Sequence, residues 1–253
     1  MSDKRFNFNI GEFTWLILLF AISFYFYRLV HLGEISMFIN PNMNKYVIFA
    51  SVSLSILGIF QIPKILNTPE GKPKFGYLIF AIPVIIGFLV NPIGLTQGIT
   101  EAKGVNFTQD STAVSTKRII NNEIKNTNSE IIMNDKNYFA FLNAISEEPN
   151  KFKNYKINLT GFVYRDENIK DGRFIIARML MICCAADAQT VGLLCDYKGQ
   201  KFDKGTWVQV TGTLDTTYYD DNKQDSLIPL IKVKSVKKIE PPVSKYIYLN
   251  NTD

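Results

Sequence analysis

The sequence predicts an α + β membrane protein: three N-terminal transmembrane helices followed by a small OB-like antiparallel β-barrel domain. Two asymmetries carry that prediction. Apolar residues make up 47% of the 253-residue chain, yet the long apolar runs fall before residue 96 while most charges fall after residue 100. Beyond residue 150 the pattern changes to short segments of period-two alternation, the spacing of strands with one buried face. The expected organisation is a transmembrane domain over residues 1–95, a polar connector over 96–134, and an extracytoplasmic barrel with a short leading helix over 135–253.

The three apolar runs are "FTWLILLFAISFYFYRLV" (13–30), "YVIFASVSLSILGIFQI" (46–62) and "FGYLIFAIPVIIGFLVNPI" (75–93). With their flanks they predict spans at about 10–32, 45–66 and 75–93, each close to the roughly 20 residues that cross a hydrocarbon core. Pro83 lies inside the third run, where a membrane helix tolerates a kink if neighbouring groups satisfy the freed carbonyl. The first run is too long and aromatic for a cleaved signal peptide and lacks a small-x-small cleavage site, so it reads as a retained helix. Lys4 and Arg5 precede the first span, and Lys64, Lys72 and Lys74 separate the second from the third. The positive-inside rule then places the N-terminus in the cytoplasm and the C-terminal half on the outer side of the cell membrane. Arg28, near the outer end of the first span, is positioned to snorkel toward the headgroups. No span carries a carboxylate or histidine at mid-depth, which argues against an autonomous carrier or pump.

The connector is rich in Asn, Thr, Ser and Lys, with a short helix expected around 115–125. In "DKNYFAFLNAISEEP", Tyr138, Phe139, Leu142 and Ile145 recur at helical spacing before Pro149, which predicts one amphipathic helix. Strands follow at 155–164, 173–184, 191–197, 206–219 and 227–240. Gly161 and Gly212 interrupt two of them, where glycine marks curvature or close backbone approach. Five short, curved strands in about 90 residues fit an OB-type barrel, with a small sandwich as the rival architecture. Asp215, Asp220 and Asp221 read as turn or solvent-facing residues, and Asp220 to Asn222 as a hairpin turn. The net charge of +5 is modest, and the one dense basic run, "KVKSVKK" (232–238), reads as a half-solvated strand. No nucleic-acid partner is expected.

All three cysteines fall in "RMLMICCAADAQTVGLLCDY" (178–197). A hairpin turning over residues 185–190 pairs 184 with 191, 183 with 192 and 180 with 195. Cys195 then lies about 10 Å from Cys183 along the sheet, too far for a disulfide. Cys183 and Cys184 would point to opposite faces of a regular strand. Cys183, Cys184 and Asp187 form the candidate metal site, with zinc the ion that such donors suit. There is no CxxC pair, and the one histidine, His31, sits at the outer end of the first span. Structural packing of the turn and redox chemistry of the thiols are the competing readings. No serine elbow, Walker glycine run, HExxH or GxGxxG is present, so no catalytic residue and no organic cofactor are assigned and an enzyme is not expected.

Several of these stretches together resemble a bacterial family, the YcgQ/UPF0703 (DUF1980) membrane proteins. The resemblance rests on "FINPNM" (38–43), "GFLVNP" (87–92), "GFVY" (161–164), "RMLMICCAADAQTVGLL" (178–194), "WVQVTGTL" (207–214) and "IEPPVSKYIY" (239–248). It implies an accessory subunit of a two-component membrane permease complex, with a polytopic permease-like protein as partner and the outer domain capping the pathway or handling a metal ion. The signature maps onto Cys183, Cys184, Ala186, Asp187, Gly192 and Leu193, without assigning any of them a role. Thr190 stands where the family pattern has proline, and Cys195 is not a signature position. The alternatives are a stand-alone, membrane-anchored extracytoplasmic binding or metal-sensing protein, and, third, a thiol-active enzyme.

Overall fold

The computed structural model of the chain describes residues 9–67, 76–89, 105–106, 130–165, 169, 172–220, 223–242 and 244–248. They fall into two compact units, residues 1–94 and 95–253.

In the first unit, α1 (Ile10–His31) and α2 (Asn44–Asn67) form a helical hairpin. The Asn9 side chain caps α1 by accepting the Glu12 N–H at 3.2 Å, satisfying one of the donors a helix start leaves open. Gly33, at φ 72°, supplies the left-handed residue that ends the helix. Two 3₁₀ turns, Glu34–Met37 and Pro41–Met43, then lead into α2. Between the helices the hydroxyl of Ser23 meets those of Ser51 and Ser55 at 3.0 and 2.8 Å. The Ser51 hydroxyl donates to the Ser23 carbonyl at 3.0 Å. Near the other end Gln61 donates to the Glu12 carboxylate. Polar groups thus face inward, while large apolar side chains such as Phe24, Phe49, Ile59 and Phe60 stand exposed. That inverts the pattern of a water-soluble hairpin.

Two helices, over Ile10–His31 and Pro41–Ile65, are long and apolar enough to cross a membrane. At 1.5 Å per residue, the 22 residues of α1 extend about 33 Å. The expectation of three such helices is met for these two only. The third helix, α3 (Gly76–Leu89), has 14 residues with Pro83 inside it. The described part extends about 21 Å. Residues 75 and 90–93 of the expected span lie outside the described residues.

The second unit is a small β-barrel. Its strands are β1 (Val105–Asn106), β2 (Glu130–Ile132), β3 (Lys156–Tyr164), β4 (Arg173–Met181), β5 (Gln189–Asp196), β6 (Trp207–Asp220), β7 (Lys223–Lys238) and β8 (Tyr246–Tyr248), with α4 (Tyr138–Glu147) between β2 and β3. Five of them close a ring in the order β3-β4-β5-β7-β6 and back to β3. The ring is not wholly antiparallel, which corrects the antiparallel barrel expected from sequence. β5 and β7 pair parallel, from Leu194 opposite Leu230 to Asp196 opposite Lys232, and β1, β2 and β8 each add a short parallel pairing. A sandwich is therefore replaced by a closed barrel, which leaves few open edges.

The stretch read as a polar connector contributes to this sheet. Ile131 and Met133 are buried in the same core as Ile157, Leu159, Val163, Val208 and Val210. The helix expected at 115–125 and the turn at Asp221 and Asn222 lie outside the described residues. From α4, Tyr138, Phe141, Leu142 and Ile145 enter the barrel core, while Phe139 packs at its margin. A Cβ on Gly161 would lie 2.5 Å from the Ala177 carbonyl oxygen, and one on Gly212 would lie 2.5 Å from that of Lys232. Both strands need the bare backbone for close approach.

Arg178, on β4, is almost wholly buried and passed unnoticed in the sequence. Its guanidinium donates to Asp135 at 2.7 Å, with Thr160 Oγ1 and the Ser244 carbonyl at 3.4 Å, and it lies 5.2 Å from the Trp207 ring. Asp215, expected as a plain surface residue, is paired with Lys232 and, at 3.1 Å, with Lys153. Lys232, then the Thr216 N–H and Lys153, hold its carboxyl well below the usual carboxylate range. A depressed folded-state pKa contributes stability that is present above about pH 4, the unfolded value, and lost as pH falls through the folded value. Both lysines are exposed, so Asp215→Asn is expected to cost about 0.5–1 kcal/mol at neutral pH. It should also flatten the acid limb of stability below about pH 4, read as the denaturation midpoint across a pH series.

Candidate metal centre

β4 and β5 build the site. Along β4, Phe174, Ile176 and Leu180 point into the barrel, whereas Ile175, Ala177, Met179 and Met181 join a second apolar cluster with Trp207 and Tyr246. The β4–β5 register runs from Arg173 opposite Asp196 to Leu180 opposite Gln189. The hairpin expected from sequence, pairing 180 with 195, is therefore shifted by six residues, because β4 ends at Met181 rather than at Cys184.

The reason lies in the turn. One Asp187 carboxylate oxygen accepts the Ile182 N–H at 2.9 Å, and the other accepts the N–H groups of Cys183 and Cys184 at 2.7 and 3.0 Å. Three successive amides are thereby withdrawn from the ladder, and strand pairing stops. Cys184 is extended at φ −152° and ψ 168°, and a 3₁₀ turn, Ala185–Asp187, reverses the chain. The Asp187 N–H returns to the Cys184 carbonyl at 3.0 Å.

This geometry changes the disposition of all three cysteines. Cys183 and Cys184 leave the strand before they can face opposite sides of the wall. Their sulfurs lie 3.8 Å apart, and the Cys183 thiol donates to Asp187 Oδ2 at 2.6 Å. Cys183 is exposed and Cys184 half-buried. Cys195 pairs with Phe174 and is wholly buried among barrel residues. Its separation from the pair, expected from sequence, is enlarged by the shift in register, since Cys195 lies opposite Phe174 rather than Leu180. Burial pushes the Cys195 thiol well up, so it stays neutral. Thr190 is not in the turn but in β5, where its hydroxyl contacts Met179 Sδ at 3.3 Å. His31 ends α1 in the other unit.

Ligand atoms of Cys183, Cys184 and Asp187 all lie within 4.8 Å of one another. Two sulfurs at about 2.3 Å from a tetrahedral zinc stand about 3.8 Å apart, the separation found here. The third edge is too short for a shared ion, because a proton occupies the line between Cys183 and Asp187. The cluster can therefore coordinate a metal ion by exchanging that proton for it and opening the sulfur–oxygen distance. Asp187 hydrogen bonding, then the Cys184 sulfur, pushes the Cys183 thiol up to about 11. Burial acts to raise the Asp187 carboxyl, but the bonds from the Cys183 thiol and the three amides outweigh it, and the net shift is downward. A carboxylate held ionised beside a thiol is thus unfavourable for a bare thiolate and favourable for a thiolate with a cation. The sequence pointed to the three side chains; the amides of residues 182–184, which fix the carboxylate, carry no signal in side-chain identity.

An apolar helical unit, two of whose helices are long and apolar enough to cross a membrane, is joined in sequence to a small closed barrel that carries a thiol–thiol–carboxylate turn at one hairpin. The chain belongs to the DUF1980 family: residues 13–106 match the DUF1980 N-terminal domain and residues 107–249 the DUF1980 C-terminal domain. It is 28% identical over 252 residues to a protein of Streptococcus mutans serotype c (strain ATCC 700610 / UA159), covering 85% of this chain and 92% of that one. That protein is named "Putative two-component membrane permease complex subunit". It is 23% identical over 283 residues to UPF0703 protein YcgQ of Bacillus subtilis (strain 168), covering 92% of this chain and 98% of that one. Neither name denotes an enzyme. No solved structure matches significantly.

Proposed function

We propose that the protein is a membrane-anchored binding protein whose barrel holds an exchangeable zinc ion at Cys183, Cys184 and Asp187 on the extracytoplasmic side. The observation that carries this reading is the 3.8 Å sulfur–sulfur spacing beside a carboxylate fixed by three amides. Three protein donors leave a fourth tetrahedral position open, which suits an ion that is received and passed on. Zinc when bound supplies a soft Lewis-acidic charge to the turn; the chain orients the donors and gives up the thiol protons. The apolar runs over 10–32, 45–66 and 75–93 anchor the chain, with residues 1–95 as the membrane domain, 96–134 as the connector and 135–253 as the barrel domain. The basic residues before the first run and between the second and third support a cytoplasmic N-terminus and an external barrel.

Purified full-length protein in detergent, fully reduced, is expected to retain about one zinc per chain by elemental analysis. Cobalt substitution should give thiolate-to-metal charge-transfer absorption. Serine at both Cys183 and Cys184 should abolish both signals, while Cys195→Ser leaves them intact. Because thiols must lose protons to bind, affinity should rise with pH, by about tenfold per unit for each proton released. Metal that survives the double substitution would place the ion elsewhere.

A second reading is that the protein serves as an accessory subunit of a two-component permease, its outer domain capping the pathway or delivering the ion to it. The printed name of the Streptococcus relative favours it. Affinity purification from membranes separates the two. A polytopic membrane protein recovered in stoichiometric amount supports the subunit reading, and a zinc-loaded chain without one supports the stand-alone protein.

A further inference from the structure

We infer that Cys183 and Cys184 are a redox gate on this site: a low-molecular-weight disulfide oxidises them to a bond between neighbouring residues and so releases the ion. The inference rests on the metal reading above and adds its regulation.

The two sulfurs are 3.8 Å apart, and Cys183 is an exposed residue. Cys195 is sealed in the barrel core and cannot compete. In the first step the Cys183 thiolate attacks the oxidant, forming a mixed disulfide and expelling one thiolate. The Cys184 thiolate then attacks the Cys183 sulfur, closing the Cys183–Cys184 bond and expelling the second thiolate. Two protons from solvent convert the expelled thiolates to thiols. The two electrons pass from the cysteine pair to the oxidant, and zinc leaves as the unchanged divalent ion, since it has no redox chemistry of its own.

The surrounding turn makes the step reversible. Adjacent residues on a trans peptide have Cα atoms about 3.8 Å apart, closer than the usual disulfide range of about 4.4–6.8 Å. The eight-membered ring that results is strained, and strained, exposed disulfides are the readily reduced ones. Closing it requires rotation about the Cys183–Cys184 backbone. The amides of Ile182, Cys183 and Cys184 converge on Asp187 in the reduced form, so the same rotation draws them away from the carboxylate. Oxidation therefore removes both sulfur donors and unseats the third ligand.

The test uses full-length, zinc-loaded protein in detergent, titrated with oxidised glutathione and followed by intact mass, peptide mapping and a chromogenic zinc chelator. Expected are a mass lower by two hydrogens, a Cys183–Cys184 bond, release of one zinc equivalent, and recovery of binding on adding a dithiol. Cys195→Ser should behave as the native chain. Cys184→Ser should stop at the glutathione adduct. Failure of the fully reduced native protein to bind zinc before oxidant is added overturns the metal reading and the gate with it. Zinc that is bound beforehand and kept after oxidation overturns the gate alone, as does release without a Cys183–Cys184 bond.

Discussion

Replacing Asp135 by alanine is expected to destabilise the barrel by about 3 kcal/mol, more than replacing its buried partner Arg178 by methionine. The ordering runs against exposure, since the Arg178 side chain is 1% accessible and that of Asp135 is 53% accessible. The guanidinium stays charged in any protein environment. Without Asp135 it is left with two neutral acceptors at 3.4 Å, Thr160 Oγ1 and the Ser244 carbonyl, and its Nε already has no partner among the described residues. A buried cation so stranded carries most of its desolvation cost uncompensated. Arg178→Met removes that cation and leaves Asp135 free to hydrate, at an expected cost of about 1 kcal/mol. The double replacement should recover most of the loss. Thermal unfolding of the four proteins, with hydrogen exchange in β4 as the local readout, checks the order. A larger loss for Arg178→Met would make its contacts with the Trp207 and Tyr138 rings, at 5.2 and 5.9 Å from the guanidinium, the dominant role of this side chain.

Gly161→Ala is expected to cost about 2–3 kcal/mol. The added carbon would lie 2.5 Å from the Ala177 carbonyl oxygen and 2.8 Å from Ile176 Cγ1. The first obstacle is backbone held by the β3–β4 pairing of Phe162 with Ala177, so it cannot swing aside as a side-chain tip would. Gly76→Ala, where nothing lies within 4 Å, should be close to neutral. Denaturant midpoints distinguish the two, and a neutral Gly161→Ala would mean that β3 and β4 separate more readily than their packing indicates.

Much of the barrel was legible because alternation reports a buried face directly. Ile157, Leu159 and Val163 recur at period two in the stretch 155–164, and all three are in the core. Tyr138, Leu142 and Ile145 likewise announced the inner face of α4. The β4–β5 register was not legible, since Ile182 continues the apolar run and yet is exposed. What stops the strand is a carboxylate five residues later, an event of hydrogen bonding that hydropathy cannot register. Arg178 was hidden for the opposite reason: an arginine within an apolar strand is buried through a partner 43 positions away in sequence. The composition of the site was visible in "CCAAD"; its convergence depended on main-chain donors common to every residue type.

β8 gives the barrel a particular order of assembly. Along one edge of β4, pairing with β3 ends at Ala177, and pairing with β8 takes over from Met179 to Met181. β8 is encoded more than sixty residues after that edge, and Tyr246 and Ile247 are buried when it arrives. During synthesis the stretch just before the two thiols therefore emerges long before the strand that covers it. Until then it presents unpaired backbone and two methionines to whatever surrounds the nascent chain.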